Sequence, residues 1–394
     1  MNQLLKFKQE AIYMDCCLNE LGTFYGGLSG KTKEHFGTGD AKFVTYMNVF
    51  SNCIARKDQC ECVLISDDEK QNLVKKGDIL FTQSSETPEE VGMASIWTHD
   101  LDVYLNSFCF GFRVLDPKKT NPLYLTYLLR SPKYRQAISI EAQGISRYNL
   151  SSSRLSSLKL RLHSCEEQQK IAEFFTALDE KIQLKVHKKA QLEYLYKSLL
   201  EKLYSTTIDK IPLSEVATFH SGLTYKPTDV SDSGVIVLRS SNIQNNHIDL
   251  TDKVFVDMNL SSELKINEGD ILMCIRNGSK NLVGKTALID STCKSYTWGA
   301  FMMVIRSKEQ NNWVHHFLRS KKFRSQIDSD SNTATINQIT KGMLNECLIP
   351  WPALETRVNS SKLLDLIERR VFITERMIFE LNSLKKAFMQ RMFV

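Results

Sequence analysis

The chain has 394 residues, 42% hydrophobic and 24% charged, with 51 lysines and arginines against 45 aspartates and glutamates. That length exceeds one ordinary core and predicts two or three domains, while the average composition excludes wholesale disorder and fibrous repeats. The net charge of +6 is modest, and +3 of it falls in residues 353–394, so nucleic-acid binding is permitted without being demonstrated. No apolar run approaches the length of a membrane span, and the first residues lack the pattern of a secretory signal. Ten cysteines are scattered without any CxxC, which predicts reduced thiols and no structural zinc. A soluble, cytoplasmic protein without membrane contact is expected.

In chain order, residues 1–163 read as a mixed α/β domain. The segments KFVTYMNV, GDILFTQ, VGMASIW and SFCFGFRV have the β-branched and aromatic content of strands. Asn121-Pro122 forms a cap and first-turn pair ahead of the helical LYLTYLLRS. Residues 164–205 read as one long helix. In 206–352 the strand texture returns in VIVLRS, GDILMCI and GAFMMVIR, with Asn312-Trp313 opening a helix. Residues 353–394 read as a second long helix.

The order repeats because the sequence repeats. Leu18–Gly27 (LNELGTFYGG) aligns with Leu213–Gly222 (LSEVATFHSG), and VKKGDIL (74–80) with INEGDIL (266–272). YLLRSPKYRQAI (127–138) aligns with HFLRSKKFRSQI (316–327), and LDEKI (178–182) with IERRV (367–371). Four collinear matches with a slowly drifting offset imply duplication of a whole domain plus its helix.

Both long helices carry a 3.5-residue seam. In the first it runs Ile171, Phe175, Leu178, Ile182, Lys185, Lys189, Leu192, Tyr196, Leu199 and Leu203. In the second it runs Ser360, Leu364, Ile367, Val371, Thr374, Ile378, Leu381, Lys385, Phe388 and Met392. A helix of roughly 38 residues is about 57 Å long and outreaches a small domain. Its seam is predicted to pair antiparallel with that of its own copy. Two surface helices, each packed on its own domain, are the alternative.

Several near-motifs lack a required part. Tyr25–Thr32 (YGGLSGKT) has tyrosine where a phosphate loop needs its first glycine, and a Gly-rich turn follows instead of a helix. Asn121-Pro-Leu-Tyr124 lacks the second proline of an amino-methylating box, and Phe36-Gly-Thr-Gly39 is too short for a cofactor loop. Asp68-Glu-Lys70 has no evident partner acid for nuclease chemistry. His315-His316 are adjacent in a helix and so predicted to face apart, against a shared metal. No catalytic constellation and no metal site emerges.

What remains is polar loop chemistry suited to base edges and phosphates. In the first copy the candidates are Lys31, Thr32, Lys33, Arg56, Lys57, Ser84, Ser85, Arg147, Tyr148 and Asn149. In the second they are Tyr225, Lys226, Arg239, Asn242, Arg276, Asn277, Lys280, Thr335 and Asn337. Any one could be an ordinary solvated loop residue. As a set, they differ between copies while the scaffold corresponds, as reading an asymmetric site would require.

The segment EEQQKIAEFFTALDEKI (166–182), continuing to LYKSLLEKL (195–203), carries a resemblance to a known family. With GDIL, the LRS-x-K-aromatic-R helix and LRSSNI (238–243), each half resembles the specificity subunit of type I restriction–modification systems. The second helix departs, with LETRV (354–358) in place of EEQQKI. The resemblance implies a noncatalytic double-stranded DNA-binding subunit with two target-recognition domains, separated and joined by two long antiparallel coiled-coil helices. It implies two modification (methyltransferase) subunits and two restriction (translocase/endonuclease) subunits as partners. S-adenosylmethionine, ATP and Mg would belong to those partners, leaving no cofactor in this chain. A DNA-binding adaptor of another system, and a methyltransferase or nuclease fragment, are the competing readings.

Overall fold

The computed structural model describes residues 13–293, 295–329 and 338–393. The chain forms two compact units, Met1–Lys185 with Met377–Val394, and Val186–Arg376.

The first unit begins with β1 (Met14–Cys17), α1 (Leu18–Leu21), β2 (Gly22–Gly26), β3 (Phe36–Val44), α2 (Tyr46–Ser51) and β4 (Cys60–Val63). It continues with β5 (Ile79–Thr82), β6 (Ser84–Ser85), β7 (Ala94–Ile96), β8 (Tyr104–Leu105) and β9 (Cys109–Val114). Then come α3 (Pro122–Arg130), α4 (Pro132–Ile140), β10 (Tyr148–Asn149), α5 (Ser152–Ser156), β11 (Lys159–Leu162) and the long α6 (Cys165–Thr206).

An antiparallel sheet in the order β2-β9-β5-β7 forms the centre, and a smaller sheet β4-β3-β8 lies beside it in the chain's topology. β1 pairs with β11 and ties the ends of the domain together. Every residue of β5 is buried, which explains why Ile79–Phe81 is a continuous apolar run rather than an alternating one. The Asp of GDIL is buried beside it. Asp78 accepts from Arg113 on β9, from the Lys75 amide and from the Tyr25 hydroxyl, so its charge is fully bonded. Asn121 caps α3 by accepting from the Leu123 and Tyr124 amides, with Pro122 in the first turn. One expected strand ends early: KFVTYMNV leaves β3 at Val44 and becomes α2. Thr45 accepts from the Asn48 amide, and the side chains of Asn48 and Asn52 bond backbone locally, which outweighs the strand propensity of Thr, Tyr and Val.

The second unit repeats the plan. It runs β12 (Lys210–Pro212), α7 (Leu213–Val216), β13 (Ala217–Ser221), β14 (Val230–Ser231), β15 (Val235–Leu238), β16 (Ile243–Gln244), β17 (His247–Ile248) and β18 (Phe255–Val256). It continues with β19 (Ile271–Cys274), β20 (Thr286–Leu288), β21 (Thr297–Trp298), β22 (Met302–Ser307), α8 (Trp313–Leu318), α9 (Lys321–Ser329), α10 (Lys341–Glu346), β23 (Leu348–Pro350) and the long α11 (Leu354–Met392). The sheet β13-β22-β19-β20 reproduces β2-β9-β5-β7, and the β12–β23 pair reproduces β1–β11. Asp270 and Arg306 repeat the buried ion pair. The cap of α8 differs from expectation. Asn311, not Asn312, accepts from the Trp313 amide, because the Asn312 amide group donates to Asp365.

Each long helix gives part of itself to each unit. In the first unit, α6 buries Ile171, Phe175, Leu178 and Ile182. Phe174 packs edge-on against Phe388 at 5.1 Å, and Lys385 donates to Asp179 at 2.5 Å. The rising numbers on α6 meet falling ones on α11, so the two pack antiparallel. Phe175 also lies in the core of α3 and stacks on Phe393. Complete burial of such a side chain is worth about 2–3 kcal/mol. In the second unit Lys189 pairs with Glu375, while Tyr196, Leu364 and Ile367 enter the core. Leu192, Leu199, Val371, Ile378 and Leu381 are half-buried along the same faces. The strict heptad drifts at its ends. Leu200 and Tyr204, not Leu199 and Leu203, are the buried residues of late α6, and Ser361, not Ser360, is buried in early α11. There each helix packs on a globular core with the 3.6-residue period of a straight helix. Both expected arrangements therefore coexist, a helix pair and helices packed on domains. None of the helices among the described residues is long and apolar enough to cross a membrane.

Candidate nucleic-acid interface

In the first unit three segments meet at the end of the central sheet. The chain leaving β5 enters β6, which pairs with β10 in register Ser84 with Asn149 and Ser85 with Tyr148. The turn entering β9 accepts from the Gln83 amide through the Phe108 carbonyl, at 2.8 Å. α2 adds Tyr46, whose hydroxyl donates to the Ser84 carbonyl at 2.6 Å and whose ring stacks on Phe50. Burial pushes that phenol's pKa up, so it remains a donor. The result is a recess of about 380 Å³ lined by Met47, Phe50, Ser84, Ser85, Phe108 and Arg147, with Glu86 and Glu90 on its wall.

The second unit builds the corresponding place from different side chains. Arg276 bridges to Gln338 where Ser84 pairs with Asn149, and the Ile275 and Arg276 amides donate to the Phe301 carbonyl. The guanidinium of Arg276 lies over the Phe301 ring, 5.5 Å from its centroid. Asn277 donates to Ser240, and Tyr225 borders Gly299 in the same turn. The frame is common to both units while the hydrogen-bonding side chains are not.

Other candidates lie elsewhere or are occupied. The Lys31 side chain is only 2% exposed and is spent on Glu69, whose carboxyl it holds near a pKa of about 2, and on the Leu64 carbonyl. Asn242 is buried and fastens its own loop by donating to the Asp249 and Asp252 carbonyls, a structural part that Asn48 plays in the first unit. Arg239 pairs with Asp252 and Arg56 with Asp58. Arg56 and Lys57 line a separate cavity of about 820 Å³ with Thr176, Asp179 and Lys385 of the helices. Thr32, Lys33, Lys226 and Lys280 are exposed, and the Thr32 and Lys226 amides are used in local turns. Thr335 and Asn337 lie outside the described residues. Sequence reasoning passed over Phe108 and Phe301 because an aromatic residue beside a strand reads as core, over Met47 because KFVTYMNV reads as a strand, and over Gln338 in favour of its neighbour Asn337. The signal was the alignment of the copies, which sets Phe108 over Phe301.

After Thr32 the YGGLSGKT segment enters a three-residue turn, Lys33–His35, and then β3, so a helix N-terminus for phosphate is absent there. Among the described residues, one group of His, Cys, Asp and Glu converges with metal-like spacing: His315, His316 and Glu368. Both histidines are buried, and their ring centroids lie 5.3 Å apart, contrary to the expectation that they face apart. Yet His316 is bonded through both nitrogens, to Tyr196 and Asp365, and Glu368 is paired with the Arg319 guanidinium. A cation there would have to displace a cation. All ten thiols are free.

Two α/β units that share the topology of their central sheet, each carrying a loop cluster of its own chemistry and part of each long helix, define a duplicated scaffold. The chain belongs to the family described as "Type I restriction modification DNA specificity domain", whose pattern it matches over residues 13–194 and again over 206–383. It is 33% identical over 188 residues to the type I restriction enzyme StySPI specificity subunit of Salmonella potsdam and, over the same length, to the EcoKI specificity subunit of Escherichia coli (strain K12). Each match covers 45% of this chain and 40% of the relative, so the chain matches less than half the length of these curated relatives. The S subunit of the type I restriction-modification system of M. genitalium shares the fold, with a TM-score of 0.66 over 99% of this chain and 98% of that one, at 15% identity.

Proposed function

We propose that this chain is the noncatalytic, sequence-reading subunit of a type I restriction–modification complex in the cytoplasm. Residues 1–163 read one half of a split, asymmetric DNA target and residues 206–352 read the other. The helical segments 164–205 and 353–394 set the unread spacer between the halves and dock two modification subunits, with two restriction subunits joining for cleavage. S-adenosylmethionine, ATP and Mg are held by those partners.

The observation that carries this reading is the pair of loop clusters, Ser84 with Asn149 and Arg276 with Gln338, on one shared frame. Ser and Asn present short donors and acceptors, whereas Arg offers a fork matched to guanine, so the two clusters suit different base edges. Docking is supported by apolar side chains that the helices leave exposed: Leu184 and Phe379 in the first unit, Tyr194 and Leu366 in the second. Methylated-base sequencing of the host genome with and without the gene tests the proposal. A split motif, two short read sequences around a fixed unread gap, is expected to lose its methylation when the gene is removed. An unchanged methylome would count against it.

A further inference from the structure

Phe108 and Phe301 occupy the same place in the two copies, directly before β9 and β22, and both are exposed, to 60% and 59%. A single exposed aromatic residue is unremarkable on a protein surface. The same exposed residue kept at one position of two copies, among loops whose polar residues have diverged, is a different matter. The turn that presents it is also built for close approach in both. A side chain at Gly27 would place its Cβ 2.2 Å from the Asn106 carbonyl oxygen, and one at Gly222 would lie 2.1 Å from that of Gly299. Glycine is therefore required at both positions so that the aromatic-bearing turn can pack against the start of the domain. The turn is then locked by the carbonyl bonds to Gln83 and to Ile275 and Arg276. In this way a hydrophobic ring is held rigidly in water, next to Arg147 in one unit and under the Arg276 guanidinium in the other.

We infer that Phe108 and Phe301 are base-contacting residues, making apolar contact with base edges, thymine methyl groups above all, in the two half-sites while the neighbouring polar groups read the hydrogen-bonding pattern. This rests on the DNA-reading proposal. An apolar ring has nothing to gain from phosphates; Arg276 supplies charge complementarity to a polyanion at Phe301, whereas Arg147 beside Phe108 shares its recess with Glu86 and Glu90.

The native complex, purified from the host through this chain, is titrated with a duplex bearing the methylated motif and with a scrambled duplex, across a range of salt. Phe301→Ala is expected to weaken binding to the target roughly 10- to 100-fold, leave the scrambled duplex unchanged and keep the slope of log affinity against log salt. Phe301→Leu, which keeps the turn's bulk, is expected to lose less, and unchanged melting separates a lost contact from a lost fold. Wild-type affinities for both duplexes would overturn the inference alone. Equal weakening on both, with a flatter salt slope, would also overturn it by assigning Phe301 to the support of phosphate contacts. A wild-type complex that does not distinguish the duplexes would instead overturn the DNA-reading proposal.

Discussion

Arg113 donates two hydrogen bonds to the carboxylate of Asp78, Nε to Oδ1 at 2.9 Å and Nη2 to Oδ2 at 2.7 Å. Arg306 and Asp270 repeat the pair in the second unit. The aspartates are buried while the arginines keep contact with solvent, so the partners are not equivalent. Arg113→Met strands a buried carboxylate and should cost about 3 kcal/mol, at the lower end for a broken buried pair. Asp78→Asn should cost less, because the freed guanidinium can hydrate. Hydrogen exchange should show Ile79–Thr82 opening faster in Arg113→Met while Ile271–Cys274 stays protected; equal loosening of both would contradict the independence of the two pairs.

The buried His315 makes the second unit sensitive to acid. Neither ring nitrogen has a hydrogen-bond partner among the described residues, and burial, helped by the nearby His316 and Arg319, holds its pKa well below the ordinary value. A depressed folded-state pKa costs nothing while the ring is neutral in both states. Stability should therefore fall as pH drops below about 6.5, the unfolded value, and continue to fall until the folded value is reached. Thr126 holds the corresponding position in the first unit. His315→Thr should reduce the acid sensitivity of the second unit, to which His220 and His247, also held below their ordinary pKa by burial, contribute the rest, read as the pH dependence of exchange in α8. Persistence of the wild-type pH profile would assign it to another group.

Charge in the helix pair should act in proportion to burial. Leu178 is 8% exposed, whereas Leu381 is half-buried. Leu178→Asp is expected to cost about 4 kcal/mol, from lost burial and a desolvated carboxylate, and Leu381→Asp less than half of that. Urea denaturation followed by helical circular dichroism gives both values. Equal effects would contradict the dependence on burial, and no effect would mean that the seam does not stabilise the helices.

The duplication, the long helices and the strand texture were all legible in the sequence, because each rests on a pattern longer than a single residue. GDIL could be matched between copies, but its reason, an aspartate reaching an arginine 35 residues on, is a long-range contact that no local pattern encodes. Tyr46–Ser51 was misread because capping by Thr45 and side-chain bonds of Asn48 and Asn52 outweigh β-propensity. The loop candidates were chosen by residue type. That criterion admitted Lys31 and Asn242, which the fold spends internally, and passed over Phe108 and Phe301, whose exposure depends on a turn pinned against a distant glycine.

The loops that imitate cofactor sites should bind nothing. YGGLSGKT leads into a turn and a strand, and Asn121-Pro-Leu-Tyr124 is the cap of α3. Calorimetry of the purified chain with S-adenosylmethionine and with ATP is expected to give no saturable heat. Micromolar binding of either would transfer part of the chemistry to this subunit.

If two independent readers share one scaffold, exchanging one of them changes only its own half of the target. Residues 206–352 are replaced by the corresponding domain of a relative with a different motif, and the methylated motif of the host is sequenced. One half of the motif is expected to change to the donor's while the other half is unaltered. A motif that changes in both halves, or in neither while methylation persists, would contradict it.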